Sequence, residues 1–240
     1  MDNASVENEL IRLRGIRFAF DGAEALFEDL DFALRRGERL ALIGGTGAGK
    51  TTLLRMIMGF VRPDKGVVRL FGQDCRSEKD FAAVRARMGF MFQDADDQLF
   101  CPTVAEDVAF GPLNLGLPHD LVHERVHAAL AEVGLAGFEQ RVSYRLSGGE
   151  KKLAALATVL AMKPEALLLD EPTAGLPEET VERIARILRA SGLPCLIVSH
   201  DRAFLEQSAV HTLRLHAGRI EHFRFENALA AKARSAAARP

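Results

Sequence analysis

Three different patterns of apolar and polar residues run along the chain. Over 10–20 the apolar positions alternate, Ile11 and Leu13 and then, after Gly15, Ile16, Phe18 and Phe20. A period of two predicts a half-buried strand of the antiparallel kind. Residues 39–43 (RLALI) form a short apolar run that enters glycines and then the helix-compatible TTLLRMIM, so strand, glycine-rich turn and helix are expected in that order. Further strands are expected over 67–71, 88–92, 166–169 and 195–199, the last two apolar throughout. Apolar strands alternating with helical stretches predict a parallel sheet covered on both faces. Helical spacing over 178–189 fits the crossover between the last two strands. The segments 212–216 and 219–223 around Ala217-Gly218 read as a closing hairpin.

The third pattern fills the middle of the chain. Val122, Val126, Ala129, Leu130 and Val133 recur at helical spacing, after an approach punctuated by Pro112, Gly116 and Pro118. The expectation is an α/β core over 1–93 and 161–225, a helical subdomain inserted over 94–160, and a solvated, alanine-rich tail over 226–240.

Composition narrows the class without naming it. Hydrophobic residues make up 48 % and charged residues 27 % of 240, which is enough apolar material for a sizeable core. Thirty-one basic residues against thirty-three acidic give a charge of −2, so no overall basic field exists to hold nucleic acid, and no nucleic-acid partner is expected. Cys75, Cys101 and Cys195 are odd in number and dispersed, which fits a reducing compartment rather than a disulfide framework. The first ten residues carry three acids and no basic segment, unlike a secretory signal. No apolar run approaches the ~20 residues of a spanning helix.

The candidate chemistry begins at Gly44-Gly45-Thr46-Gly47-Ala48-Gly49-Lys50-Thr51, followed by Thr52, a full match to G-x-x-x-x-G-K-[ST]. Glycines let the backbone curl so that successive N–H groups point inward at a polyphosphate, beside a helix N-terminus that favours anions. Lys50 is suited to the β- and γ-phosphates and the Thr51 hydroxyl to Mg²⁺. Residues 167–171 (LLLDE) supply the partner motif. An apolar strand delivers Asp170 to its carboxyl end for the Mg²⁺ shell, and Glu171 is placed to polarise a water for attack on the γ-phosphate.

Three further segments sharpen this reading. The run Leu146-Ser147-Gly148-Gly149-Glu150 resembles the signature sequence of ATP-binding-cassette (ABC) ATPases. Gln93 resembles that family's Q-loop glutamine, and His200 in IVSHD its switch histidine. All five motifs keep the family's order and spacing, over about residues 11–223. The resemblance implies a P-loop NTPase with a RecA-like core of mostly parallel sheet, an N-terminal antiparallel β subdomain and an inserted helical subdomain. It implies a homodimer paired head to tail around two ATP molecules. Lys50, Thr51, Gln93, Asp170, Glu171 and His200 would then act in cis, with Gln93, Thr51 and Asp170 toward Mg²⁺. Ser147, Gly148 and Gly149 would act across the interface, where the first N–H groups of a helix can bind a γ-phosphate. Phe20 falls where the family has an aromatic residue stacked on adenine. One departure is visible: the family reads T-x-G-L-D-P after the catalytic glutamate, whereas this chain reads Thr173-Ala174-Gly175-Leu176-Pro177, by substitution or by a one-residue deletion.

The stretch 91–117 resembles the ATPases of energy-coupling-factor importers, particularly the cobalt/nickel type. Its Asp96-Asp97-Gln98-Leu99-Phe100 core lies where the family's ATPase meets its membrane partner, so Leu99 and Phe100 are expected as interface anchors, with helix core as the alternative. The resemblance implies two ATPases with an integral-membrane coupling protein and a substrate-capturing membrane subunit, peripheral on the cytoplasmic face of the cell membrane. It leaves open an ATPase for another ABC transporter, with a vitamin or other substrate. A separate motif, His123-Glu124-Arg125-Val126-His127, matches the H-E-x-x-H of zinc proteases, and His119 adds a third histidine at four-residue spacing. The helix that carries them buries Val122 and Val126, which leaves the histidines on its solvated flank.

Overall fold

The computed structural model describes residues 8–223. The tail expected over 226–240, and most of the first ten residues, lie outside the described residues.

The chain forms two sheets. The first contains β1 (Glu9–Ala19), β2 (Ala25–Arg35), β4 (Lys65–Leu70) and β5 (Gln73–Asp74), antiparallel in the order β2-β1-β4-β5. The second runs β10-β9-β3-β8-β7-β6, from β3 (Arg39–Ile43), β6 (Met88–Met91), β7 (Ala166–Asp170), β8 (Cys195–Val198), β9 (His211–His216) and β10 (Arg219–Phe223). Every pairing in it is parallel except the β9–β10 hairpin. The segment expected at 67–71 thus joins the antiparallel sheet, where Leu13 pairs with Val68. Sequence patterning passes over β2 because a bulge interrupts it. Asp29 adopts φ +58, and the register slips between the Ile16–Leu30 and Phe18–Phe27 pairs, so the period of two that holds over Leu30, Phe32 and Leu34 is broken between Phe27 and Leu30.

Helices cover both faces of the parallel sheet. In chain order they are α1 (Lys50–Ile57), α2 (Glu78–Arg85), α3 (Val104–Asn114), α4 (His119–Glu132), α5 (Gly148–Leu160), α6 (Glu178–Ser191) and α7 (Arg202–Ser208). The central strands alternate between two cores. Ala41, Leu167, Leu169, Cys195 and Ile197 join one with α3–α7, while Leu40, Leu42, Leu168, Leu196 and Val198 join the other with α1, α2 and the antiparallel sheet. This two-sided burial is why β7 and β8 read as unbroken apolar runs. Helices α3, α4 and α5 pack on one another, with Val122, Val126, Ala129, Leu130 and Val133 buried as their spacing predicts.

Because β3, β6, β7 and β8 run parallel, their carboxyl ends share one edge. That edge gathers the loop after β3, Gln93 after β6, Asp170 and Glu171 at the end of β7, and His200 after β8.

Helix α5 reaches this edge by lying directly on β6. A Cβ at Gly89 would come within 2.3 Å of Val159 Cγ1 and 2.8 Å of Leu167 Cδ2, so glycine permits the close approach. Gly89→Ala is expected to lower the unfolding free energy by ~1–3 kcal/mol through overpacking. In a denaturant series, Gly89→Ala combined with Val159→Ala should be less destabilised than the sum of the single changes. Strict additivity would show that α5 does not approach β6 in this way.

Candidate functional site

The loop after β3 owes its shape to two glycines. A Cβ at Gly44 would meet the Leu215 carbonyl oxygen at 2.6 Å, because the loop lies against β9. Gly49 adopts φ +99 and sits so close to Phe27 that a Cβ there would fall 2.8 Å from a ring carbon. Gly49 also caps α1 without a side-chain hydrogen bond, so the first N–H groups of that helix open onto the loop. Lys50 is buried at the first position of α1, and its Nζ donates to the carbonyls of Gly44 (2.8 Å) and Gly45 (3.0 Å). The lysine therefore folds back along the inside of its own loop.

Across the cleft, Asp170 is only 2 % exposed, and its Oδ1 has no hydrogen-bond partner among the described residues. Burial raises its pKa, against the opposing pull of the Thr51 hydroxyl and of the Arg55, Lys50 and Lys152 charges. An acceptor-only oxygen left unpaired at the bottom of a cleft is a ready seat for a cation. The Mg²⁺ expected there fits the residues present.

Glu171 is fixed from several sides. Its φ of +46 is a left-handed conformation unusual for a non-glycine residue. Its N–H donates to the Val198 carbonyl (2.8 Å). One carboxylate oxygen accepts from the His200 N–H (3.3 Å), and the other lies 3.3 Å from His200 Nε2. A cleft of about 570 Å³ is lined by Thr46, Lys50, Gln93, Asp170, Glu171 and His200, among others. A neighbouring cleft of about 600 Å³ shares Thr51, Gln93 and Asp170 and extends to Gly148 and Lys152 of α5.

Not every candidate gathers here. Phe20 lines neither cleft; it is 54 % exposed, with its ring edge-on to Phe18 at 4.9 Å. Ser147 and Gly149 lie at the start of α5 and also line neither cleft. Ser147 forms a capping box, its hydroxyl accepting from the Glu150 N–H (3.3 Å) while Glu150 accepts from the Ser147 N–H (2.8 Å). That leaves the N–H groups of Gly148 and Gly149 without an intrahelical acceptor. Pro177 stands at the N-cap of α6, where it provides no side-chain cap.

The expected Leu99-Phe100 anchor pair is divided by the structure. Leu99 is 8 % exposed and belongs to the core with α3 and α4, whereas Phe100 is 62 % exposed and stacks edge-on against the exposed Phe110 at 4.9 Å. Gln98 also turns inward. It accepts from the Phe92 N–H (3.0 Å) and donates to the Ala155 carbonyl (3.0 Å) and the Thr158 hydroxyl (2.8 Å). Buried Asp107, which sequence reasoning passed over, accepts from the N–H groups of Phe100 (2.9 Å) and Cys101 (2.8 Å) and holds the loop in place. The three histidines of α4 are exposed, and His127 Nδ1 lies 3.1 Å from Glu139. No group of three or more possible metal-ligating side chains occurs among the described residues.

Comparison with known proteins agrees with this geometry. The family model described as ABC transporter matches residues 27–174. The Energy-coupling factor transporter ATP-binding protein EcfA of Methanothermobacter thermautotrophicus is 46 % identical over 216 residues, covering 88 % of this chain and 69 % of the relative. The protein of the same name from Methanocaldococcus jannaschii is 42 % identical, over 80 % of this chain and 70 % of its own length. Among solved structures, cbiO1 from Clostridium perfringens, part of the ABC transporter complex cbiONQ, superposes with a TM-score of 0.81 at 31 % identity, covering 90 % of this chain and 88 % of its own. A dimeric, post-hydrolysis ATP-binding cassette, MJ0796 bound to ADP and Pi, shares the fold with a TM-score of 0.79 at 22 % identity, over 90 % of this chain and all of its own. Among the described residues no helix is long and apolar enough to cross a membrane. The chain belongs to the ABC transporter family, as one of its ATP-binding subunits, whose general reaction is ATP hydrolysis coupled to transport.

Proposed function

We propose that this chain is the ATP-hydrolysing subunit of an energy-coupling-factor importer, acting as a homodimer whose cargo is cobalt or nickel. The observation that carries the enzymatic part is the meeting of Lys50, Asp170, Glu171 and His200 in one cleft at the carboxyl edge of the sheet. In this reading the backbone of residues 44–49 cradles the phosphates, and Lys50 turns from the Gly44 and Gly45 carbonyls to the β- and γ-phosphates. Thr51, Gln93 and Asp170 would hold Mg²⁺, which when bound would offset the charge on the phosphates. Glu171 takes the proton of the attacking water as the new bond to the γ-phosphorus forms and the bond to the ADP oxygen breaks. His200 orients that carboxylate through its two contacts. Gly148 and Gly149, with Ser147, face the γ-phosphate of the partner subunit, and Phe20 receives the adenine. The proposed division of labour is a core over 1–93 and 161–225 with a helical part over 94–160.

The importer type rests on the resemblance of 91–117 and on the relatives named EcfA. Exposed Phe100, Phe110 and Leu113 form an apolar patch on the helical part, suited to an integral-membrane coupling protein. A substrate-capturing membrane subunit completes the assembly, with this chain peripheral on the cytoplasmic face. Cobalt or nickel rests on the resemblance alone, and transport assays on the co-purified complex test it directly.

Glu171→Gln should keep ATP binding and lose hydrolysis, because an amide cannot accept the proton of water; gel filtration with ATP should then show a stabilised dimer. Hydrolysis at the wild-type rate would remove Glu171 from the mechanism. Phe100→Ser should change stability by no more than ~0.5 kcal/mol and leave the hydrolysis of the isolated subunit intact while reducing transport. Leu99→Ser should instead cost ~2–5 kcal/mol in a thermal or urea scan. Equal stability losses at the two positions would contradict the division between core and docking surface.

A further inference from the structure

Lys152 is only 6 % exposed, and no carboxylate lies within ion-pair distance of it among the described residues. Lysine is almost never buried without compensating partners. The partners here are two backbone carbonyls: Nζ donates to the Gln93 oxygen in a close contact and to the Glu171 oxygen at 3.2 Å. These oxygens belong to segments 78 residues apart, one following β6 and the other following β7. Asp94, Asp170 and Glu171 surround the ammonium with negative charge, which offsets part of its desolvation.

The consequence is sharpest at Glu171. Its N–H is taken by Val198 and its carboxylate faces His200. The turn that follows, through Pro172, is closed by the Ala174 N–H on the Glu171 carbonyl (3.3 Å). Lys152 donates to the same carbonyl, and so ties a residue held at φ +46 directly to α5. The same ammonium grips the backbone of Gln93. Two neighbouring contacts fasten the loop after β6 to α5 as well: the Lys151–Asp96 ion pair (2.5 Å) and the Gln98 amide on Ala155 and Thr158. Lys152 is one turn into α5, just after the Gly148-Gly149 start of that helix.

We infer that Lys152 is a positioning residue for hydrolysis, setting the backbones of Gln93 and Glu171 against one reaction centre from the helix that opens with Ser147-Gly148-Gly149. The inference rests on the proposed roles of Gln93 and Glu171. It does not require Lys152 to touch the nucleotide, and it predicts an effect on the chemical step rather than on affinity.

The test uses the purified full chain with Mg-ATP. Lys152→Met keeps the apolar stem and removes the donors. It should lower kcat by ~10- to 100-fold, since small misplacements of reacting groups have effects of that size. Its Kd for ATP, measured in parallel, should change by less than about threefold, because Lys50 and its loop are untouched. Lys152→Arg, which retains a charged donor on a long stem, should recover most of the lost kcat. If Lys152→Met does not fold, Lys152→Gln, a shorter donor unable to reach both carbonyls, replaces it in the same comparison. A wild-type kcat in the donor-deficient variant overturns the inference. So does a parallel loss of kcat, ATP affinity and thermal stability that Lys152→Arg does not relieve, because that marks a merely structural lysine. Failure of the underlying reading is seen separately, as continued hydrolysis by Glu171→Gln.

Discussion

A carboxylate buried at the end of a wholly apolar strand is the constraint on which the rest of this site depends. Strand β7 can be Ala-Leu-Leu-Leu only because β6 and β8 flank it and helices cover both of its faces. The same parallel packing leaves Asp170 at the exit edge with an oxygen that nothing in the described structure satisfies. An unpaired buried acceptor costs stability, and a folded chain keeps one where a ligand repays the cost. Opposite it lies a loop of the reverse character, with uncapped helix N–H groups and a lysine that donates to its own loop's carbonyls. One wall calls for a cation and the other for an anion, which is the pairing that a metal-bound nucleoside triphosphate presents.

Glu171 shows how the fold holds a strained residue in place. Its backbone lies in a region that non-glycine residues seldom adopt, and contacts from Val198 of β8, from His200 beyond it and from Lys152 of α5 each fix a different atom. Helix α5 is thereby tied to the backbone carbonyl of Glu171 in its own cleft, while its glycine-rich first turn presents unpaired N–H groups. Its tight seat on β6 across Gly89 makes the helix a stiff connection between the two.

Much of this was legible in the sequence, for identifiable reasons. Strands β3, β7 and β8 carry continuous apolar runs, and the phosphate-loop pattern fixes a strand before it and a helix after it. The loop, Asp170 and Glu171 could thus be set at the carboxyl edge from the residues alone, whereas Gln93 and His200 came from the family resemblance. Strand β2 was obscured where its bulge at Asp29 shifts the alternation between Phe27 and Leu30. Gln98 and Leu99 were misplaced on the surface because a polar-apolar cluster in a loop has no periodicity to orient it. Their direction is decided by distant groups, the Phe92 N–H and the Ala155 carbonyl for Gln98 and the α3–α4 core for Leu99. Lys152 and Asp107 were invisible for a related reason. A charged residue in a helix reads as solvated, and only backbone groups brought in from other segments make its burial tolerable.

The most direct measurement compares the thermal stability of the wild type and Asp170→Asn, with and without ATP and Mg²⁺. The folded-state pKa of Asp170 is raised, so the native state holds this proton more tightly than the unfolded chain does. Stability from this group is therefore present at low pH and is lost as pH rises above the ordinary value of 3.8 and through the folded pKa. At neutral pH without ligand, the uncharged asparagine should make the variant at least as stable as the wild type, with the difference shrinking toward acid. Adding Mg²⁺ to the ATP-bound protein should raise the transition temperature of the wild type and leave that of the variant nearly unchanged. An unliganded variant that is less stable than the wild type, together with an equal response to Mg²⁺, would contradict the claim that this buried carboxylate is built for a cation.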